Sequence, residues 1–405
     1  MREPIQWIRN DMPREVAAGM LALFSDEEKA KIRAFHESFP QYEATPLVHL
    51  PALSEKLGIG GLYVKDESYR FGLNSFKVLG GTYAVGKYVA SRLGKDISQI
   101  SYETFLAPET KEAVGEITFY TVTDGNHGRG VAWAANKLGQ KSVVRMPRGS
   151  AQARVENIRA EGADVEVTEL NYDDAIRALA RQAESDPNGV LVQDTDWKGY
   201  EQIPSWILQG YSTVAAEAHE QLEAYGIWKP THIFVQAGVG AFAGSVQGYF
   251  ASIYGEDCPV TTVVEATAAN CHYRSALAGH RVAVGGDLAT IMAGLACGEA
   301  CGISWDILKN NARFFASCSD WVTALGMRML GAPLKGDTRI ISGESGAVTA
   351  GLVSAVMTDE ANRDFREALG LGPESIVLVV STEGDTDPDR YRDITWNGFC
   401  ASTEK

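Results

Sequence analysis

No apolar run in the chain approaches the length of a membrane span, and the opening MREPIQWIRNDMPREV mixes charges among its apolar residues where a secretory leader needs an uninterrupted apolar stretch. A cytoplasmic protein with no membrane partner is the expectation. Basic residues are in deficit, 37 Lys and Arg against 52 Asp and Glu in 405 residues, for a formal charge of -15. Nucleic acid would need a basic surface, so it is not expected as a partner. Cysteine is sparse: Cys258, Cys271, Cys297, Cys301, Cys318 and Cys400 are scattered, which is not the pattern of a disulfide-stapled domain, and most read as small buried hydrophobes. Cys297 and Cys301, with Cys271 and His272 upstream, lack the second spaced pair of a zinc site, so no metal is expected. Fixed-period repeats and low-complexity tracts are missing too, which excludes solenoids and disordered tails.

What remains is an ordinary globular composition, 45% hydrophobic and 22% charged, at a length that favours two domains. Runs rich in β-branched residues alternate with stretches of helical period, the mark of an α/β chain with largely parallel sheets. Strands are expected over 117–122, 142–146, 163–168, 190–193, 231–236, 260–264 and 376–380. Helices are expected over 77–93, 127–138, 150–160, 172–184 and 207–225, with Gly94, Gly139 and Gly162 as stops. The polar stretch 94–116 reads as an insertion or linker, and 194–211 as an aromatic-rich loop.

Four constellations carry chemistry. Asn74-Ser75-Phe76-Lys77 precedes a helical run, and a lysine at a helix N-terminus opposes the dipole, which favours the neutral amine that a Schiff base requires. Most lysines, however, are only solvated surface charges. Asp124-Gly125-Asn126-His127-Gly128 joins a strand to a helix, a turn that aims backbone N–H groups at an anion; an ordinary capped turn fits equally well. Gly238-Val239-Gly240-Ala241-Phe242-Ala243-Gly244 follows THIFVQA and opens a helix, as a phosphate-binding loop does. Gly238, Gly240 and Ala243 also satisfy GxGxxA, with Glu265 at the end of the next strand at ribose-binding distance in sequence, so a nicotinamide-dependent oxidoreductase is the rival reading. Ser381-Thr382-Glu383-Gly384 ends the strand SIVLVV and offers hydroxyls where open α/β sheets place ligands. The acidic turn after it lacks the glycine of a calcium loop and contains Pro388.

The order Ser-Phe-Lys, Gly-Asn-His-Gly, glycine-rich loop and late strand-end hydroxyl resembles the fold-type II pyridoxal phosphate (PLP) enzymes, from about Pro46 to Asp389. Within them NSFKVLGG, TDGNHGRG, QDTDWKGYEQIPSWILQGY, TIMAGLACGE, SGESGA and STEGDTDP are most similar to the diaminopropionate ammonia-lyase family. The resemblance implies PLP on Lys77, with Phe76 beside it. It implies Asn126 at the pyridine 3-oxygen, Gly238, Val239, Gly240, Ala241 and Phe242 around the phosphate, and Ser381 or Thr382 at the ring nitrogen. Asp124 stands where dehydratases of this class carry a small hydroxyl residue. Together with Asp194 it would suit a cationic β-amine; Asp196 could fill the second role instead. Ser75, Gly125 and His127 complete the expected substrate contacts.

The expected fold is therefore two open, twisted α/β domains with PLP in the cleft between them. The large domain would comprise 1–89 and 213–405, and the small one, 90–212, would be inserted into it. The expected reaction is α,β-elimination of ammonia from 2,3-diaminopropionate by a homodimer, with Lys77, Asp124 and Asp194 catalytic. A serine/threonine dehydratase-type lyase is the nearer alternative.

Overall fold

The computed structural model describes residues 3–12, 18–123 and 125–401. Eleven strands run in chain order: β1 Gln6–Arg9, β2 Leu47–His49, β3 Gly61–Asp66, β4 Thr118–Val122, β5 Lys141–Met146, β6 Asp164–Val167, β7 Gly189–Leu191, β8 His232–Gln236, β9 Val260–Ala266, β10 Phe314–Cys318 and β11 Ile376–Ser381. They form a seven-stranded sheet in the order β1-β10-β9-β8-β11-β3-β2 and a four-stranded one in the order β6-β5-β4-β7. The second sheet is parallel throughout; in the first, only the outer strands β1 and β2 run antiparallel to their neighbours. Every residue of β3, β8 and β10 is buried, because helices cover both faces of the large sheet. That is why the centre of β8, IFV, and the run IVLVV of β11 are apolar without alternation.

All seven expected strands and all five expected helices are present, with ends shifted by a few residues. The largest shift is at Gln202–Ala224, which begins five residues before 207, so the aromatic-rich stretch is loop only up to Glu201. The segment 94–116 is no bare linker: it folds into three short helices, Ile97–Gln99, Tyr102–Leu106 and Pro108–Val114, of which the first two are closed by capping boxes from Asp96 and Ser101. The sequence reading did not include β1, β2, β3 and β10.

Three helices converge behind the site. Val78–Arg92 packs on Asn126–Lys137 and on Gln202–Ala224 so closely that a methyl group on Gly130 would lie 2.8 Å from the Val78 Cα, and one on Gly210 2.6 Å from the Leu79 carbonyl oxygen. Glycine permits this approach, which fixes where the helix after Lys77 begins. Ahead of that helix lies a fully buried ionic cluster: Lys65 Nζ meets Glu217 at 2.7 Å, Arg70 Nε meets Glu67 at 2.8 Å and Arg70 Nη2 meets Glu217 at 2.8 Å. Burial by itself would raise the Glu217 carboxyl, but Arg70 and Lys65 more than offset it and hold it well below the usual carboxylate range. Two cations and two carboxylates thus anchor β3 and the turn leading to Lys77 against Gln202–Ala224.

Candidate active site

The strand ends named above open into one cavity. It is lined by Ser75, Phe76 and Lys77, by Asn126 and Asp194, by Gly238 to Phe242, and by Thr382 and Glu383, among others. It communicates with a wider cleft of about 740 Å³ that also contains Lys77, together with Arg154, Tyr172 and Glu344.

Lys77 stands at the N-cap of Val78–Arg92, where the dipole disfavours its charge, and its Nζ lies 3.4 Å from Asp194 Oδ2. Asp194 is 2% exposed. Its other oxygen accepts from the Tyr172 hydroxyl at 3.2 Å. Burial would raise this carboxyl, but Lys77, His127 and Tyr172 hold it below its ordinary value. Asp196 turns the other way: it accepts from the Gly302 N–H and lines a separate hollow with Arg281 and Asp306.

The Phe76 ring packs on Phe242 and Tyr211, with centroids 4.3 and 4.7 Å apart. Ser75 is tied through an isolated antiparallel bridge to Glu383. Gly240 adopts φ +94 and caps Ala241–Tyr254; a side chain there would collide with the His272 ring and the Ser304 hydroxyl. The loop can therefore lie close to a bound group while the first N–H groups of the helix, which lack partners inside it, face that group.

Ser381 and Thr382 separate cleanly. Ser381 donates to the Ser342 hydroxyl at 2.8 Å and does not line the cavity. Thr382 lines it, and its Oγ1 accepts from Gln236 Nε2 at 3.0 Å, which leaves the hydroxyl hydrogen for an acceptor in the cavity. Gln236, the last residue of an expected strand, and Glu383, inside the Ser381–Gly384 motif, have no role assigned from sequence. Both sit at the C-terminal end of a strand pointing at the site, and that position was the available signal. Gly125 and His127 are set behind the cavity wall: Gly125 donates to Thr123 Oγ1 and packs on the Arg154 side chain, while His127 Nε2 bonds the Val192 carbonyl at 2.9 Å. Their positions give the expected substrate contacts no support. Asp124 lies outside the described residues.

Glu265 is engaged elsewhere, which removes the ribose-binding carboxylate of the nicotinamide reading. Its Oε1 accepts from the His272 N–H and ring Nδ1 at 2.8 and 3.0 Å, and its Oε2 from the Tyr273 N–H at 2.7 Å. Glu265, Cys271 and His272 are close enough to share a metal ion. Burial and the neighbouring carboxylate push the Cys271 thiol well above its ordinary value. Cys301 is likewise pushed up, to about 12, by burial.

The family model for pyridoxal-phosphate dependent enzymes matches residues 39–382. The diaminopropionate ammonia-lyase of Salmonella typhimurium is 50% identical, with 99% of this chain and 100% of that protein covered, and that of Escherichia coli K12 is 49% identical over 93% of each. A crystal structure of the Escherichia coli enzyme in complex with D-serine superposes with a TM-score of 0.90 at 46% identity over 98% of both chains. One in complex with an aminoacrylate-PLP azomethine reaction intermediate gives 0.89 at 45%, again over 98% of both. Tomato threonine deaminase, at 20% identity and a TM-score of 0.72 over 98% of this chain and 97% of that one, shares the fold.

Proposed function

Because the chain belongs to the diaminopropionate ammonia-lyases among the pyridoxal-phosphate dependent enzymes, we propose that it converts 2,3-diaminopropionate and water to pyruvate and two molecules of ammonia. The cofactor is pyridoxal 5'-phosphate. When bound, it supplies an electron sink for the charge left as the α-proton departs. The residues present fit it: an amine at Lys77, a glycine-lined cradle at Gly238–Phe242, and a hydroxyl with a hydrogen to give at Thr382.

The observation that carries the substrate assignment is the 3.4 Å contact between Lys77 Nζ and buried Asp194. Once the Lys77 nitrogen is committed to the cofactor, Asp194 is a desolvated carboxylate shaped for an ammonium, and the substrate's β-amine supplies one. In this reading Lys77 Nζ takes the α-proton of the L isomer and Asp124 that of the D isomer. Asn126 donates to the ring 3-oxygen. Thr382, a neutral partner for the ring nitrogen, keeps the ring a weaker electron sink than a carboxylate partner would, which favours elimination over transamination.

The enzyme is further taken to be a cytoplasmic homodimer in which residues 90–212 form the smaller body. The whole four-stranded sheet lies inside that segment, and among the described residues no helix is long and apolar enough to cross a membrane. The test is steady-state kinetics on diaminopropionate, serine and threonine. A site built around a substrate ammonium should favour diaminopropionate in kcat/KM by roughly four orders of magnitude. Comparable efficiency with threonine would make the enzyme a dehydratase instead.

A further inference from the structure

We infer that Glu383 is a positioning residue that locks the Asn126 side-chain amide with its nitrogen toward the cavity, so that the second N–H of that nitrogen is presented to the ring 3-oxygen of the bound cofactor. The inference deepens the reading of Asn126 given above and rests on it. The chemistry begins with an ambiguity: an asparagine amide can face a site with either its oxygen or its nitrogen, and only the nitrogen stabilises an anionic 3-oxygen. Glu383 removes the ambiguity. Asn126 Nδ2 donates to Glu383 Oε2 at 2.5 Å, and this carboxylate oxygen is the acceptor, so the flipped amide would set oxygen against oxygen.

Glu383 can impose this because its own place is fixed from several directions. Oε1 accepts from the Ser345 N–H at 3.2 Å and Oε2 from the Thr386 hydroxyl at 3.4 Å. Its carbonyl accepts from the Gly343 N–H at 2.8 Å, and a side chain on Gly343 would press into the Glu383 Cγ at 2.8 Å. The backbone on either side is paired with the lysine-bearing segment, Phe76 N–H to the Thr382 carbonyl at 3.2 Å and Gly384 N–H to the Asn74 carbonyl at 3.1 Å. The carboxylate is therefore held by the same ladder that positions Lys77 and Thr382. A direct hold on the substrate's β-ammonium is the competing role for a buried carboxylate in this cavity. It is disfavoured because both oxygens are already committed to donors, one of them the amide itself.

The experiment uses the absorption spectrum of the resting, PLP-loaded enzyme. An anionic 3-oxygen gives the near-violet band, and a protonated one shifts absorbance to the near-ultraviolet. In Glu383→Gln the new amide can pair with Asn126 in either orientation. The near-violet to near-ultraviolet ratio at neutral pH should then fall about fivefold, the population change equivalent to one lost hydrogen bond. In an Asn126→Ala background the same substitution should change nothing further, since Glu383 acts only through Asn126. An unchanged ratio in Glu383→Gln with normal PLP uptake overturns the inference, as does an equal shift in the Asn126→Ala background. If Glu383→Gln does not fold, Glu383→Asp keeps the charge but withdraws it by one methylene, and it should shift the ratio in the same direction; no shift is again the overturning result. Failure of the underlying cofactor reading looks different: the wild-type protein would then show no borohydride-reducible band at all.

Discussion

Arg154 reaches across the wide cleft to Glu344, with Nη2 3.5 Å from Oε2, 5% of one side chain exposed and 3% of the other. Arg154 belongs to the helix Gln152–Ala160 beside the four-stranded sheet, and Glu344 to the loop that also presents Ser345 to the cofactor cavity. Burial drives the Glu344 carboxyl from its ordinary 4.5 to about 7, with the Glu383 charge adding to the rise and Arg154 opposing it.

A pH dependence follows. The folded chain holds this proton more tightly than the unfolded one, so the contribution to stability is fully present below pH 4.5, falls as the pH rises and levels off above about 7. Urea denaturation at pH 5.5 and 8 should show wild type losing roughly 1–3 kcal/mol from this group over that interval, a loss that Glu344→Gln does not show. An identical difference between the two pH values in both proteins would dismiss Glu344 as the titrating group.

Lys77→Ala should lose both the borohydride-fixable near-violet band and turnover. Reduction with borohydride followed by peptide mapping is the direct check, and a pyridoxyl group found on any other lysine would void the assignment.

Asp124 carries a stereochemical prediction. L and D substrates held by the same carboxylate contacts present their α-protons to opposite faces of the cofactor ring, and one base does not serve both. Asp124→Asn keeps size and hydrogen bonding while removing basicity, so kcat on the D isomer should fall by roughly two orders of magnitude or more, and on the L isomer by less. Equal losses on the two isomers would reduce Asp124 to a binding residue.

Glu217→Ala should be severely destabilising. It leaves Lys65 and Arg70 buried with only Glu67 to balance them. Breaking a buried ionic network this way costs about 3–5 kcal/mol, readable as a drop in thermal midpoint. Stability near that of wild type would show that water reaches the cluster.

The parts legible in sequence were those whose environment is uniform along the chain. β8 and β11 are buried on both faces, so burial wrote them as apolar runs, and the lysine, asparagine and glycine-loop motifs are contiguous. β3, GLYVKD, was missed because its lysine is paid for by Glu217, a partner 152 residues away that no local pattern reveals. The choice between Asp194 and Asp196 and that between Ser381 and Thr382 turn on which way a loop or strand end rotates, and contacts with Lys77, Gly302, Ser342 and Gln236 decide them. Glu383 stood in plain sight inside STEG, but its role exists only through Asn126, 257 residues away. Two of the short helices of 94–116 are closed by capping boxes from Asp96 and Ser101, local signals that the overall polarity of the stretch hides.

The ionic cluster around Arg70 also has a consequence for synthesis. Lys65, Glu67 and Arg70 leave the ribosome together, and Glu217, the carboxylate that binds both Lys65 and Arg70, follows 147 residues after Arg70. At about 5–20 residues per second that is a wait of roughly 7 to 30 s. Throughout it Lys65 and Arg70 lack the Glu217 carboxylate that holds them when the turn before Lys77 is buried. The buried cluster beside β3 is therefore completed only once Gln202–Ala224 has emerged, by which time every strand of the four-stranded sheet has already been made.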